Sequence, residues 1–228
     1  MRRFILIGTF AVLLFPLPAA RGANGKLDEV LSRMQEASKK LVSIRATMEQ
    51  VKQHTQIGGQ ENYTGDMIFK HLGRGKDKVR INYRKTNQVV AVDGDKIMLY
   101  QPKINQVFIT CRSALASQHP DYAFITALYA SVDELKERYA IAYLRDEQFE
   151  QINTSVLEMT PKSKSAEVKT TLWVSRVTWM PIRFQVIERN KDVTTLTLRD
   201  IARNSLIKDD EFRLTWPSRT NVSKESCH

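Results

Sequence analysis

Cysteine is scarce: the 228 residues hold only Cys111 and Cys227. A disulfide-stapled scaffold is therefore excluded, because such folds are dense in cysteine. In an oxidising compartment the two thiols can pair with each other or stand independently. Histidine is also rare, and His54, His71, His119 and His228 show no ligand spacing with the cysteines, so no metal site is expected. No low-complexity linker or internal repeat divides the chain. After the first residues, no run is long and apolar enough to cross a membrane as a helix. The Lys and Arg residues never gather into a basic run, which argues against nucleic acid as a partner. Catalytic signatures are missing too: there is no Gly-x-Ser-x-Gly elbow, no Walker loop and no His-Glu-x-x-His. Asp209-Asp210-Glu211 reads as a solvated acidic turn. His119 precedes a proline at a helix start, and Cys111 has no base near it in sequence. The expectation is a protein that is not an enzyme, with no catalytic residue and no cofactor.

What is present begins with a leader. Met1-Arg2-Arg3 is basic, Phe4 to Leu17 is apolar but too short to span a bilayer, and Ala20-Arg21-Gly22 is a small-x-small site. This reads as a secretory signal peptide over residues 1–22, which places the protein outside the cytoplasm. About 206 residues remain, enough for one domain with a substantial core. Removing Arg2, Arg3 and Arg21 lowers the formal net charge from +10 to +7. A basic exported protein favours acidic surfaces, such as anionic lipid or an acidic partner.

Hydrophobic spacing then predicts the elements. Lys26 to Val42 is an amphipathic helix with Leu27, Val30, Leu31, Met34 and Leu41 on one stripe. "SIRATMEQVKQHT" reads as a long strand. From Asn62 to Ser113 the chain reads as a meander, in which Val79, Ile81 and Tyr83 alternate with Arg80, Asn82 and Arg84. "HPDYAFITALYASVDELKERY" is helical, and Ser131 with Glu134 forms a capping box that starts a second helix, Val132 to Tyr139. Strands return at Ala140–Leu144, Ser155–Thr160, Lys169–Ser175, Ile182–Glu188 and Val193–Asp200. Phe212 to Pro217 is a last short apolar segment, and residues 218–228 form a polar tail that looks loosely held. The sum is one domain over residues 23–217, mainly β in an α+β mixture.

One stretch asks a question of the fold. In "VVAVDGDKIMLYQPKINQVF", Asp93-Gly94 between apolar runs signals a hairpin. Yet Ile97-Met98-Leu99-Tyr100 is apolar on both faces, whereas an antiparallel strand usually wets one. Helices lying on the concave side of a curved sheet are the expected cover.

Several strings resemble the LolA family, the periplasmic carriers that move lipoproteins from the inner to the outer membrane of Gram-negative bacteria. Ala46-Thr47-Met48-Glu49-Gln50 is similar to the family's Ala-x-Met/Phe-x-Gln strand, and Gly65-Asp66-Met67-Ile68-Phe69-Lys70 to its Gly-x-Met/Leu-x-x-Lys strand. "VDGDKIMLYQPKINQV" matches a family segment at Asp93-Gly94, Tyr100, Pro102 and Gln106. "LRDIARNSLIKDDEFRLTWP" is similar to the family's closing run. The resemblance covers nearly the whole exported chain. It implies an open antiparallel barrel of about eleven strands with a helical lid on its concave face. It also implies an acyl-binding cavity lined by Met67, Phe69, Val79, Ile81, Tyr83, Val90, Ile97 and Leu99, with Phe124 and Leu128 from the lid.

The implied cargo is an acylated lipoprotein or another lipid, handled by a periplasmic monomer. The implied partners are an inner-membrane releasing transporter and an outer-membrane acceptor. A regulatory or lipid-sensing module of the same fold is the alternative. The chain departs from the family at His71-Leu72, where an Arg-Pro pair is common and the Arg holds the lid shut. Arg74, in Gly73-Arg74-Gly75, is the candidate to replace that Arg. "TLWVSRVTWMPIRFQVIE" is closer to a branch of LolA-like sorting proteins.

Overall fold

The computed structural model describes residues 19–73, 76–111 and 130–225, with side chains from residue 24 onward. Helix α1, Ala19–Lys39, precedes six strands: β1 Ser43–Gln53, β2 Gln60–Lys70, β3 Lys78–Tyr83, β4 Val89–Asp93, β5 Lys96–Gln101 and β6 Gln106–Cys111. The second half contains α2 Val132–Arg138 and five strands, β7 Tyr139–Phe149, β8 Ile152–Pro161, β9 Glu167–Ser175, β10 Pro181–Glu188 and β11 Val193–Arg203. A short strand, β12 Asn221–Lys224, closes the order. The helix expected over Lys26 to Val42 is shifted: α1 starts at Ala19, so it runs through the position read as a cleavage site.

All the described strands belong to one 12-stranded sheet, in the order β12-β6-β5-β4-β3-β2-β1-β11-β10-β9-β8-β7. It is two antiparallel meanders joined where β1 pairs with β11. Ile81, Val90 and Ile97 of the first meander share one buried cluster with Leu157, Leu172 and Phe184 of the second. Strands so distant in sheet order meet only if the sheet curls on itself. Register irregularities assist the curl, among them one between Arg45 and Thr47 in β1 and one between Tyr143 and Arg145 in β7. The sheet does not close, so the fold is the expected open barrel with one strand more.

The inner face explains the alternation. Met67 pairs with Ile81, Ile81 with Val90, and Val90 with Leu99. One rung along, Phe69 pairs with Val79, Val79 with Val92, and Val92 with Ile97. Because facing residues project to the same side, these rows form one continuous apolar surface. Val30, Leu31 and Met34 of α1 and Val132 and Leu135 of α2 pack into the same core.

The outer face has a different cover. The chain after β11 crosses it as a strap, with Ile207 and Phe212 packed on Ile68. Polar ties hold the strap down: Lys70 Nζ lies 2.7 Å from Asp209 Oδ1, Arg45 Nη2 lies 2.8 Å from Glu211 Oε2, and the Arg80 guanidinium donates to the Arg213 carbonyl. The apolar run of β5 is accordingly divided between the two faces. Ile97 and Leu99 face the inner core, while Met98 and Tyr100 project to the outer side, half-buried. The described helices, α1 and α2, pack on the inner face.

The short apolar segment from Phe212 to Pro217 follows a 3-10 turn over Asp209–Phe212. The expectation of a loose tail is corrected, because Asn221 to Lys224 pair in parallel with Gln106 to Ile109. Main-chain pairing is indifferent to polar side chains, and the edge of β6 offers free backbone groups. Thr110 Oγ1 also donates to Glu225 Oε2 at 2.6 Å. Likewise β7 runs past Leu144 to Phe149, because Glu150 and Gln151 take φ of 45° and 67° in its turn without the usual Asn-Gly signal.

The strap should be acid-sensitive. The hydrogen bond from Lys70, then its charge and that of Lys78, hold Asp209 below the usual carboxylate range. The hydrogen bond from Arg45 and the Lys208 N–H do the same for Glu211. A carboxylate lowered on folding stabilises fully above its unfolded pKa of about 4, and that contribution is lost as pH falls through the lowered value. Acid titration should therefore leave the strap in place at neutral pH and loosen it below about pH 4. Amide exchange over residues 205–216 measures this; exchange that accelerates already near neutral pH would exclude these carboxylates as the ties.

Candidate functional site

A cleft of about 470 Å³ opens between α1, α2 and the end of the sheet. Its walls come from both halves of the chain. Met34 and Leu41 lie on the α1 side, Ile44 on β1, Phe69 on β2, Leu135 on α2 and Met180 before β10. The volume falls within the range of ordinary small-molecule pockets. The rim is polar and mostly acidic. Asp133, Glu134 and Glu137 of α2 stand there, with Lys39, His71 and Asp77 across from them.

Local chemistry places each wall. Helix α2 begins at the expected capping box: Ser131 Oγ accepts the Glu134 N–H at 3.2 Å, and the Glu134 carboxylate accepts the Ser131 N–H at 2.8 Å. Ser131→Ala should cost about 1 kcal/mol of stability and speed amide exchange in α2. Equal exchange in the two proteins would show that packing alone fixes this helix.

The helix exit is held by a buried polar cluster. Tyr139 Oη donates to Glu167 Oε1 at 2.6 Å, and Thr170 Oγ1 donates to Glu167 Oε2 at 2.8 Å. Burial, with the Glu167 charge beside it, pushes the Tyr139 phenol up. On the other wall, Trp179 has φ of 56°, rare for so bulky a residue. Its N–H donates to the Ser175 carbonyl at 2.7 Å, and the Arg33 guanidinium sits 5.9 Å from the ring centroid.

The departure at His71 also finds a structural role. His71 Nδ1 lies 2.9 Å from Asp77 Oδ1, which also accepts the Leu72 N–H at 3.0 Å. The Gly94 N–H reaches the Asp77 carbonyl at 3.1 Å. His71 and the buried Asp77 therefore clamp the loop between β2 and β3 to the β4–β5 turn at the edge of the cleft. Arg74 lies outside the described residues, as do Phe124, Leu128 and Cys227. Cys111 is buried at the end of β6.

The eight strand residues expected to line a cavity lie on one face, as the pairing above shows. Met67, Val79, Ile81 and Ile97 are completely buried there, and Phe69 is the member that reaches the cleft. Tyr83 belongs to the polar far end, where its Oη donates to Gln50 Oε1 at 2.9 Å. The alternation of β3 marks the buried face without separating dry core from cavity wall. Ile44, Leu135, Trp179 and Met180 were missed as lining. Met180 lies between two expected strands, and its apolar character was the available signal.

The cleft thus has apolar walls from two helices and the curled sheet, and a polar, mostly acidic rim. Residues 39–215 match the family model described as "Outer membrane lipoprotein carrier protein LolA". The chain belongs to the LolA family. No match was found among curated proteins. Solved structures are similar to this chain at low identity. An uncharacterized conserved protein from Thermus thermophilus is 11% identical, with 88% of this chain and 99% of that one covered and a TM-score of 0.55. A chain of the MucA/MucB complex of Pseudomonas aeruginosa is 14% identical, over 83% of this chain and 61% of that one, with a TM-score of 0.50. A lipoprotein-sorting protein domain from Vibrio parahaemolyticus is 15% identical, over 81% and 96%, with a TM-score of 0.48. Among the described residues, no helix is long and apolar enough to cross a membrane.

Proposed function

We propose that this protein is a periplasmic carrier that shelters the acyl chains of lipoproteins and delivers them to the outer membrane. The observation that carries this reading is the cleft between α1, α2 and the apolar inner face of the sheet. Each methylene moved from water into such a site contributes about 0.8 kcal/mol, so part of one acyl chain suffices for useful affinity. The two helices lie over the deeper apolar rows, and lifting them would expose Met67, Ile81, Val90 and Leu99 to a longer chain. The mechanism is transfer without bond chemistry: acyl groups enter from a releasing transporter in the inner membrane and leave to an outer-membrane acceptor.

The rim bears on the type of cargo. Asp133, Glu134 and Glu137 disfavour an ionised fatty-acid carboxylate at the mouth. An ester- or amide-linked acyl group, as on a lipoprotein, carries no such charge. Native mass spectrometry of the exported protein, purified from its own envelope and followed by lipid extraction, tests the reading. A co-purifying acylated lipoprotein is expected. A clean mass that stays unchanged after incubation with lipoprotein and phospholipid would overturn it.

A regulatory or lipid-sensing module is the second reading, favoured by the fold shared with a chain of the MucA/MucB complex. A protein partner released when an acyl ligand is added would select it over the carrier.

A further inference from the structure

The outer face of the β5–β6–β12 edge holds a second groove, remote from the cleft. Ile109 and Val222 form its apolar floor, Trp216 of the strap lines it, and Lys96 and Lys224 flank it. The pairing puts these groups on the side opposite the inner core: Met98 faces Ile109 across β5 and β6, and Lys224 faces Ile109 across β6 and β12. The two lysines are exposed, and no carboxylate pairs with either among the described residues. At the loop end of the same edge, Lys103 and Ile104 project beside Arg219, and Ile104 is 61% exposed.

We propose that this groove is a docking surface for an anionic lipid bilayer. It combines an indole, exposed aliphatic groups and long unpaired cations on one edge. That combination suits a bilayer interface, where the rings and methyls enter the headgroup boundary and lysines reach the phosphates. An acidic peptide fits less well. Strand addition would need a long free edge, and β12 has only 4 residues. The apolar area is small, so docking is weak, reversible and salt-sensitive. The surface lies on the other side of the sheet from the proposed cargo, and the inference does not depend on that reading.

The test uses the whole exported protein with phosphatidylglycerol-containing vesicles and with pure phosphatidylcholine vesicles, at low salt. Binding to the anionic vesicles is expected, with a blue shift of tryptophan emission that disappears in Trp216→Phe. Lys96→Gln/Lys224→Gln should weaken partitioning about thirty-fold, since each cation near the surface is worth about one kcal/mol. Lys85→Gln/Lys136→Gln, which makes the same change in net charge elsewhere, should bind like the parent. The Trp216 readout separates docking from uptake of lipid into the cleft on the far face. Equal binding to both vesicle types, equal loss in the two lysine pairs, or a shift of the same size in parent and Trp216→Phe would overturn the proposal. Capture of an acidic peptide without any vesicle binding would overturn it in favour of a protein partner.

Discussion

Gly65→Ala should lower the unfolding free energy by about 3 kcal/mol, the upper end of the usual cost of forcing extra atoms into a packed site. A Cβ at this position would stand 2.4 Å from the Asn82 carbonyl oxygen and 3.5 Å from Met48 Cγ. The first contact is with the backbone of the neighbouring strand β3, which a rotamer change cannot relieve. Gly65 faces Tyr83 across the β2–β3 ladder, so the clash falls where β2 and β3 pair over the core. The sign is informative because glycine ordinarily weakens a strand interior, and replacing it by alanine would otherwise help. The midpoint and slope of urea unfolding measure the effect. A midpoint that stays or rises would show that β2 and β3 separate easily there, contrary to the described packing.

Leu41→Glu should cut acyl affinity about fifty-fold while costing less stability than a change in the fully buried core. Leu41 is only partly buried, just beyond α1, so a carboxylate there can reach water. Its side chain nevertheless lines the cleft, and the substitution removes apolar wall and adds a charge beside the ligand. Losing burial for about three methylenes at about 0.8 kcal/mol each gives that factor. Displacement of a fluorescent acyl ester from parent and variant, alongside their unfolding midpoints, separates affinity from folding. Unaltered affinity with an unaltered midpoint would remove the cleft from the proposed route of the cargo. If the midpoint falls as well, Leu41→Gln repeats the test without the charge.

Particular elements show what could be read before any coordinates. The alternation of Val79, Ile81 and Tyr83 identified β3 and its buried face, because a strand's period of two is set by local geometry. The Asp93-Gly94 dipeptide marked its hairpin, where Gly94 takes φ of 63°. Ser131 and Glu134 announced the start of α2, since a capping box is complete within four residues. Six strands, a helical interruption and five strands followed from the same short-range signals, and the family resemblance was carried by strings of similar length.

Other features were illegible for an equally physical reason. The Glu150-Gln151 turn uses residues that do not advertise a positive φ, so β7 reads five residues too short at its end. Strand β12 has no hydrophobic rhythm, and only the vacant edge of β6 makes it a strand.

By itself, then, the sequence determined the strand rhythm, the Asp93-Gly94 turn, the helix start and the family, all properties of neighbours along the chain. Only the tertiary structure decided which apolar rows lie sealed beneath α1 and α2 and which wall stays open. It also decided that His71 and Asp77 clamp the edge of that opening, and that the strap supplies the second face of the sheet with its cover. The seating of the strap depends on contacts between residues more than a hundred positions apart, such as Lys70 with Asp209 and Arg45 with Glu211. Such contacts form only when the whole sheet has curled, and no local pattern encodes them.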